Sequence, residues 1–149
     1  MVDDGAFLLV TTRHVFATMT DSSRSAPVSA ARHVDALPAG THLAEFEIVA
    51  LLGVGGFGMV YQAFDHSLHR AVAIKEYMPS ALAGRADGLA LSVRTPADAP
   101  AFEAGLKSFV GEARLLAQFD HPSLVKVFRF WEANNTAYMV MPVYTGMTF

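Results

Sequence analysis

Short apolar runs bounded by turn residues begin near residue 46 of the chain. Three of them lie at 46–52, 60–65 and 70–75, and the last two are separated by a polar turn at 66–69. Runs of this length between turn residues are typical of β-strands. The spacing predicts a three-stranded antiparallel meander.

A helix with one buried face is predicted farther along the chain. Five apolar residues recur at intervals of four, three, four and three, which is the period of a helix that packs on one side. They are Phe102, Leu106, Phe109, Ala113 and Leu116. We place this helix at about residues 100–119, and we expect Pro100 to prevent Thr95-Pro96-Ala97-Asp98 from serving as a capped first turn.

Two more apolar runs, at 124–131 and 136–141, are predicted to be strands. Asn134 and Asn135 lie between them and tolerate the left-handed backbone conformation of a tight hairpin turn. The order of three strands, one helix and two strands predicts an α+β domain with a five-stranded antiparallel sheet and one main helix. We expect this domain to occupy residues 41–149.

Two segments are predicted to lack regular strands and helices. Residues 1–40 have the composition of a linker and are expected to be a flexible leader. Residues 78–98 contain Pro and Gly at short intervals and are expected to form a long loop or a pair of short turns. This insert is either a surface insertion without a function, which loop entropy tolerates, or a site of regulation or partner binding.

The turn between the first two predicted strands is rich in glycine and has the spacing GxGxxG. Its residues are Gly53, Val54, Gly55, Gly56, Phe57 and Gly58. Glycines allow backbone amides to approach phosphate oxygens, so the turn is a candidate phosphate flap. In dinucleotide-binding folds the same pattern opens a helix, whereas here a strand follows, which argues against that fold. A glycine-rich hairpin that binds nothing is a further alternative.

Lys75 ends the third predicted strand, at the spacing that a hairpin needs to place its ammonium group beneath the phosphates. A solvated lysine is the alternative interpretation. Glu112 lies on the edge of the buried stripe of the predicted helix, where its carboxylate could reach and hold Lys75. Glu112 could instead be a surface residue, and Glu103 is a rival for the same role.

These residues resemble the small lobe of the protein kinase family, and bacterial serine/threonine kinases in particular, over residues 44–149. The motifs that carry the resemblance are Gly53-x-Gly55-x-x-Gly58-x-Val60, Val72-Ala73-Ile74-Lys75, Glu112 followed nine residues later by His121-Pro122, and Tyr138-Met139-Val140-Met141. The resemblance implies that the bound nucleotide is ATP. It also implies that Lys75 orients ATP, that Glu112 holds Lys75 and that Phe57 caps the flap.

The adenine site follows from the same resemblance. Val60 and Ala73 would line the apolar slot for adenine, and Met141 would lie at the back of the pocket as its gatekeeper. Pro142 departs from the common pattern, but this position has only to offer its carbonyl, which proline retains. Tyr144 would supply the amide donor to adenine.

The resemblance implies a second, large lobe that supplies the catalytic base and the Mg²⁺ ligands for phosphoryl transfer to Ser or Thr of a protein substrate. The 149 residues contain neither an HRD-type nor a DFG motif, so we expect this chain to be inactive alone. The alternative is a noncatalytic module that uses the sheet and helix to bind a partner.

Composition excludes several other functions. A net charge of −3 without clustered Lys and Arg gives no sign of nucleic-acid binding. The chain has no cysteine, which excludes disulfides and thiolate metal sites and suits the reducing cytoplasm, the location that we predict. The six His show no metal-ligand spacing, and we predict no metal site in this chain. The apolar run at 6–10 is too short to cross a bilayer, and no membrane segment is predicted.

Overall fold

The computed structural model describes residues 34–86 and 88–143, and the predicted leader up to residue 33 lies outside the described residues. The sheet is antiparallel, with six strands in the order β1-β2-β3-β4-β8-β7, and a separate hairpin consists of β5 and β6. The strands are β1 (His42–Leu43), β2 (Phe46–Val54), β3 (Gly58–Asp65), β4 (Arg70–Tyr77), β5 (Ala83–Arg85), β6 (Leu91–Val93), β7 (Arg129–Ala133) and β8 (Thr136–Pro142). A turn of 3₁₀ helix, Pro96–Asp98, precedes the main helix α1 (Ala99–Ala117).

The α+β class is confirmed, but the predicted count of five strands is wrong. The additional strand, β1, pairs with β2 through His42 opposite Glu47 and Leu43 opposite Phe46. Two residues are too few to show the alternation by which strands are recognised in a sequence. The predicted run at 124–131 also begins too early, because β7 starts at Arg129.

The helix begins one residue before the predicted position and ends two residues before it. Pro100 is its second residue, where the missing N–H has no partner to lose, so it does not interrupt the helix. The expectation that Pro100 would prevent a capped turn at Thr95–Asp98 is wrong, because the Asp98 carboxylate accepts hydrogen bonds from the Thr95 N–H at 3.2 Å and from the Thr95 hydroxyl at 3.1 Å. Both features therefore occur together, with Pro100 in the first turn of α1.

The insert contains more regular structure than the predicted loop. Its hairpin β5–β6 packs against the turn between β7 and β8, where the Leu91 N–H donates to the Asn134 carbonyl at 3.0 Å. The Asn135 side-chain amide donates to the Leu91 carbonyl at 2.9 Å. Asn134 and Asn135 have φ values of 56° and 59°, so both adopt the left-handed conformation that the sequence predicted for this turn.

The two faces of β4 bury different partners, because successive strand residues point to opposite sides. Val72, Ile74 and Glu76 lie on one face. Lys75 and Tyr77 lie on the other, against which the rings of α1 pack. The sheet is curled, since Phe46 of β2 stacks on Trp131 of β7 at 5.8 Å although these strands are not neighbours.

The last residues of the predicted leader contact the folded domain. Leu37 is buried, and its N–H donates to the Tyr61 hydroxyl at 3.1 Å. The Asp35 carboxylate accepts a hydrogen bond from the N–H of Arg85 in the insert, at 3.1 Å. The described part of this segment therefore covers the face of the sheet that bears the Tyr61 side chain, next to the insert.

Candidate functional site

The glycine-rich turn is the tip of the β2–β3 hairpin. Val54 pairs with Met59, and the Gly55 N–H donates to the Gly58 carbonyl at 2.8 Å, which closes the turn. Gly56 and Phe57 lie at the tip, and the Phe57 side chain is 58% exposed. The predicted flap is therefore a hairpin whose tip has few contacts with the rest of the domain.

The base of this hairpin packs closely on the end of β4. A Cβ atom at Gly58 would lie 2.5 Å from the Glu76 carbonyl oxygen, a separation at which the backbone would have to move. The Phe57 carbonyl also accepts a hydrogen bond from the Met78 N–H at 3.0 Å. Gly58 is thus required for close approach of two backbones rather than for a left-handed conformation.

Lys75 lies in the middle of the sheet, opposite Val60 of β3 and Met139 of β8. Its side chain points away from Glu76 and is only 1% exposed. Burial lowers the pKa of Lys75 from 10.5 to about 8, and the negative charge of Glu112 acts in the opposite direction. The amine therefore lies in a poorly solvated position within the electrostatic range of Glu112.

The two candidate carboxylates on α1 act on different residues of β4. Glu112 is buried and acts on Lys75, whereas Glu103 is exposed and acts on Tyr77. Burial, followed by the charge of Glu103, raises the pKa of Tyr77 to about 12. Glu112 rather than Glu103 is therefore the acidic residue of α1 that the fold brings to the lysine.

The residues predicted to contact adenine lie on neighbouring strands beside Lys75. Ala73 of β4 is directly opposite Met141 of β8, and both are buried. Val60 is opposite Lys75, and Pro142, the last residue of β8, is opposite Val72. Gly53 of β2 pairs with Val60, which places Val60 beside the strand that leads into the flap. Tyr144 lies outside the described residues.

Sequence reasoning missed a buried polar network on the other face of β4. The Glu76 carboxylate accepts hydrogen bonds from Arg85 at 2.8 Å and from the Tyr61 hydroxyl at 2.7 Å. Burial raises the pKa of Glu76, and Arg85 opposes this shift by charge and hydrogen bonding. Arg85 also donates to the carbonyls of Asp35 and Leu89, at 2.9 and 2.6 Å. The network joins the sheet, the insert and the segment before β1.

The sequence offered only a weak signal for this network. Glu76 follows Lys75 directly, so the strand period places the two charges on opposite faces. A charge on a face that also contains Ile74 must have a buried partner. Arg85, which lies nine residues later within the insert, could not be identified as that partner from a local pattern.

The described residues contain no helix that is long and apolar enough to cross a membrane. In the same part of the chain, no group of three or more His, Asp or Glu side chains could hold a metal ion. The described site consists of a glycine-rich hairpin, a buried lysine on which a glutamate of α1 acts, and buried apolar residues on the neighbouring strands.

Comparison with known proteins finds relatives that are serine/threonine-protein kinases, although no family model matches the chain. Serine/threonine-protein kinase PknD of Chlamydia caviae is 30% identical over 103 residues, which are 69% of this chain and 9% of the relative. PknD of Chlamydia pneumoniae is 29% identical over the same share of each chain. This chain therefore spans only a small part of the curated relatives that it matches.

Two solved structures have a similar fold. The apo form of PpkA-294 is 54% identical to this chain, with a TM-score of 0.72, over 75% of this chain and 40% of that one. The kinase domain of Mycobacterium tuberculosis PknI, as a double mutant, is 22% identical, with a TM-score of 0.50, over 72% of this chain and 36% of that one. At that identity the second structure supports the fold alone.

Proposed function

We propose, from its similarity to these kinases, that this chain is the small lobe of a bacterial serine/threonine protein kinase and that it binds the phosphates and the adenine of ATP. Lys75 would hold the phosphates, and the β2–β3 hairpin would cover them. Val60, Ala73 and Met141 would line the adenine slot, and Pro142 would offer its carbonyl to the base.

One observation carries this proposal above the others. The Cε atom of Lys75 lies 3.7 Å from the point that a Cβ atom of Gly58 would occupy, so the end of the lysine side chain reaches the base of the flap. A phosphate covered by the hairpin would therefore meet the backbone amides of the turn and the Lys75 amine together. Amides and a lysine arranged in this way favour a polyphosphate.

The electrostatics of Lys75 agree with this role. With a pKa of about 8 the side chain is mostly protonated at neutral pH, although it is almost fully buried. The charge of Glu112 supports the ammonium form. An arriving phosphate would add negative charge on the same side and stabilise that form further. Glu112 would then orient Lys75, and Lys75 would contact the nucleotide.

Phosphoryl transfer would need groups from outside these residues. We propose that a large lobe supplies the catalytic base and the Mg²⁺ ligands, and that the assembled kinase phosphorylates Ser or Thr of a protein. A positioned base contributes a factor of roughly 10²–10⁴ to such reactions. This chain by itself would consequently bind nucleotide without transferring phosphate.

Calorimetric titration of Mg-ATP into the purified 149-residue chain tests the proposal. We expect weak, saturable binding that Lys75→Ala abolishes and that Lys107→Ala, at an exposed position on α1, leaves unchanged. A phosphopeptide assay on the same samples should show no product. Binding that survives Lys75→Ala would contradict the placement of the phosphates, and no binding at all would favour a noncatalytic partner-binding module.

A further inference from the structure

Tyr77 is a buried aromatic residue that the nucleotide site does not use. It lies two residues after Lys75 on the same face of β4 and is 3% exposed. Its ring packs between two rings of α1, Phe102 at 5.3 Å and Phe109 at 5.8 Å. Its hydroxyl donates to the Phe102 carbonyl at 3.0 Å. Tyr77 therefore joins the strand of the lysine to the helix of the glutamate.

Gly105 is the point at which α1 passes over the Tyr77 hydroxyl. A Cβ atom at Gly105 would overlap the hydroxyl oxygen and would lie 3.0 Å from Cζ and 3.2 Å from Cε1 of the ring. The ring packs against Phe102 and Phe109, so a movement that relieves the overlap would disturb these contacts. Gly111 on the same helix is different, since a Cβ atom there would meet no heavy atom within 4 Å.

The tyrosine contact and the lysine site lie on the same two elements. Gly105 and Glu112 are seven residues apart, which is about two helical turns and places them on the same side of α1. Tyr77 and Lys75 are separated by one strand period, about 7 Å. The separation of helix and strand at Gly105 therefore sets the position of Glu112 relative to Lys75.

We propose that Tyr77 and Gly105 are positioning residues, which seat α1 on β4 so that Glu112 acts on Lys75. The consequence for nucleotide binding rests on the proposed function. The consequence for Lys75 itself does not, because it is a property of the chain without a ligand.

The first experiment measures Lys75 in Gly105→Ala. The rate at which an amine-reactive acylating reagent modifies Lys75, followed by peptide mass spectrometry over a range of pH, reports the fraction of neutral amine. In the native chain the midpoint should lie near the pKa of about 8. In Gly105→Ala it should fall, as it should in Glu112→Gln, because the carboxylate charge that supports the ammonium form has moved away. The exposed Lys107 provides an internal reference.

The second experiment tests whether the tyrosine hydroxyl is the cause. Tyr77→Phe removes the oxygen that the new Cβ atom would overlap, so the double variant Tyr77→Phe/Gly105→Ala should return the Lys75 midpoint most of the way to the native value. Gly111→Ala is the matched control, and it should leave the midpoint unchanged. Mg-ATP should bind to Gly105→Ala about tenfold more weakly, which corresponds to about 1.4 kcal/mol, and should recover in the double variant.

The outcomes separate this proposal from the proposed function. An unchanged Lys75 midpoint in Gly105→Ala would refute the proposal that Tyr77 and Gly105 position α1. A double variant whose midpoint is no closer to the native value than that of the single variant would also refute it. If Gly105→Ala does not fold, the double variant decides, and failure of both to fold would also overturn the proposal. If the native chain does not bind Mg-ATP but the Lys75 midpoints change as expected, the positioning role of Tyr77 and Gly105 is supported and the proposed function is refuted.

Discussion

The burial of Lys75 leads to a quantitative prediction about stability and pH. The pKa of Lys75 is 10.5 in its ordinary state and about 8 in the fold, mainly because of burial. This difference of about 2.5, at about 1.36 kcal/mol per pH unit, corresponds to about 3 kcal/mol. Keeping the lysine charged therefore lowers the free energy of unfolding by about 3 kcal/mol at any pH below the folded pKa.

The sign of the pH dependence follows from proton counting. Between the two pKa values the unfolded chain binds more protons at Lys75 than the folded chain does, so stability rises with pH in that range. Above 10.5 the lysine is neutral in both states, and its unfavourable contribution has gone. Replacing Lys75 by Met should remove this rise, because methionine does not titrate.

The assay is urea unfolding of the native chain and Lys75→Met at several pH values between about 7 and about 11, followed by circular dichroism. Relative to the variant, the native chain should gain about 3 kcal/mol over this range. Taking the difference cancels the other groups, including the buried tyrosines. The constant offset is not diagnostic, since Glu112 loses its cationic neighbour in the variant.

Two further comparisons make the result decisive. Lys107→Met, at an exposed position on α1, is the matched control for the replacement of a lysine by methionine. The same comparison made in Glu112→Gln should give a change greater than 3 kcal/mol, because Glu112 supports the ammonium form in the native chain. A difference between native and Lys75→Met that stays constant with pH would refute the inference that the charged lysine is held in a poorly solvated site.

Three other predictions concern the flap and the network behind β4. Gly58→Ala should lower the free energy of unfolding by about 1–3 kcal/mol, because the new Cβ atom collides with the Glu76 carbonyl. Gly56→Ala, where a Cβ atom meets open space, should change it by less than about 0.5 kcal/mol, and equal effects of the two variants in urea unfolding would contradict the close packing at Gly58. Arg85→Met should lower the free energy of unfolding by about 3–5 kcal/mol, because it leaves the buried Glu76 charge without its cation. Adding Glu76→Gln should restore much of that stability, and a double variant as unstable as the single one would refute the pairing of Arg85 with Glu76. Phe57→Ala should leave stability within about 0.5 kcal/mol, because the ring is exposed, but should weaken Mg-ATP binding severalfold in calorimetry; unchanged affinity would exclude the ring as a cap.

The parts of the fold that could be predicted are the elements whose apolar residues form long runs or recur at the spacing of a helix. The apolar runs at 60–65 and 70–75 predicted most of β3 and β4, which have eight residues each, and the apolar stripe at 102–116 predicted most of α1, which has 19. The elements that were missed, β1, β5 and β6, have two or three residues. Such short strands are determined by the surfaces they pack on, and their own residues carry no period.

The candidate site divides in the same way. The glycine-rich hairpin turn and the position of Lys75 on the next strand could be predicted, because both depend on local strand and turn patterns. The sequence pattern named Glu112 but left Glu103 as a rival, because the packing of α1 on β4 decides between them; the contact of Tyr77 with Gly105, for example, joins residues 28 positions apart. Contacts of this range depend on tertiary packing, which local spacing does not encode.

Lys75 and Glu76 are adjacent residues of β4 with opposite charges on opposite faces of the sheet. The charges that surround them differ. The Oε1 atom of Glu76 accepts hydrogen bonds from Arg85 and Tyr61. On the face of Lys75 the effect of burial on the pKa exceeds that of Glu112. Additional negative charge on that face would therefore stabilise the ammonium form, whereas the Glu76 face already has a cation in hydrogen-bonding contact. The charge on the insert side of the strand thus has an oppositely charged partner in hydrogen-bonding contact, and the phosphates of the proposed nucleotide would supply further negative charge on the side of the flap.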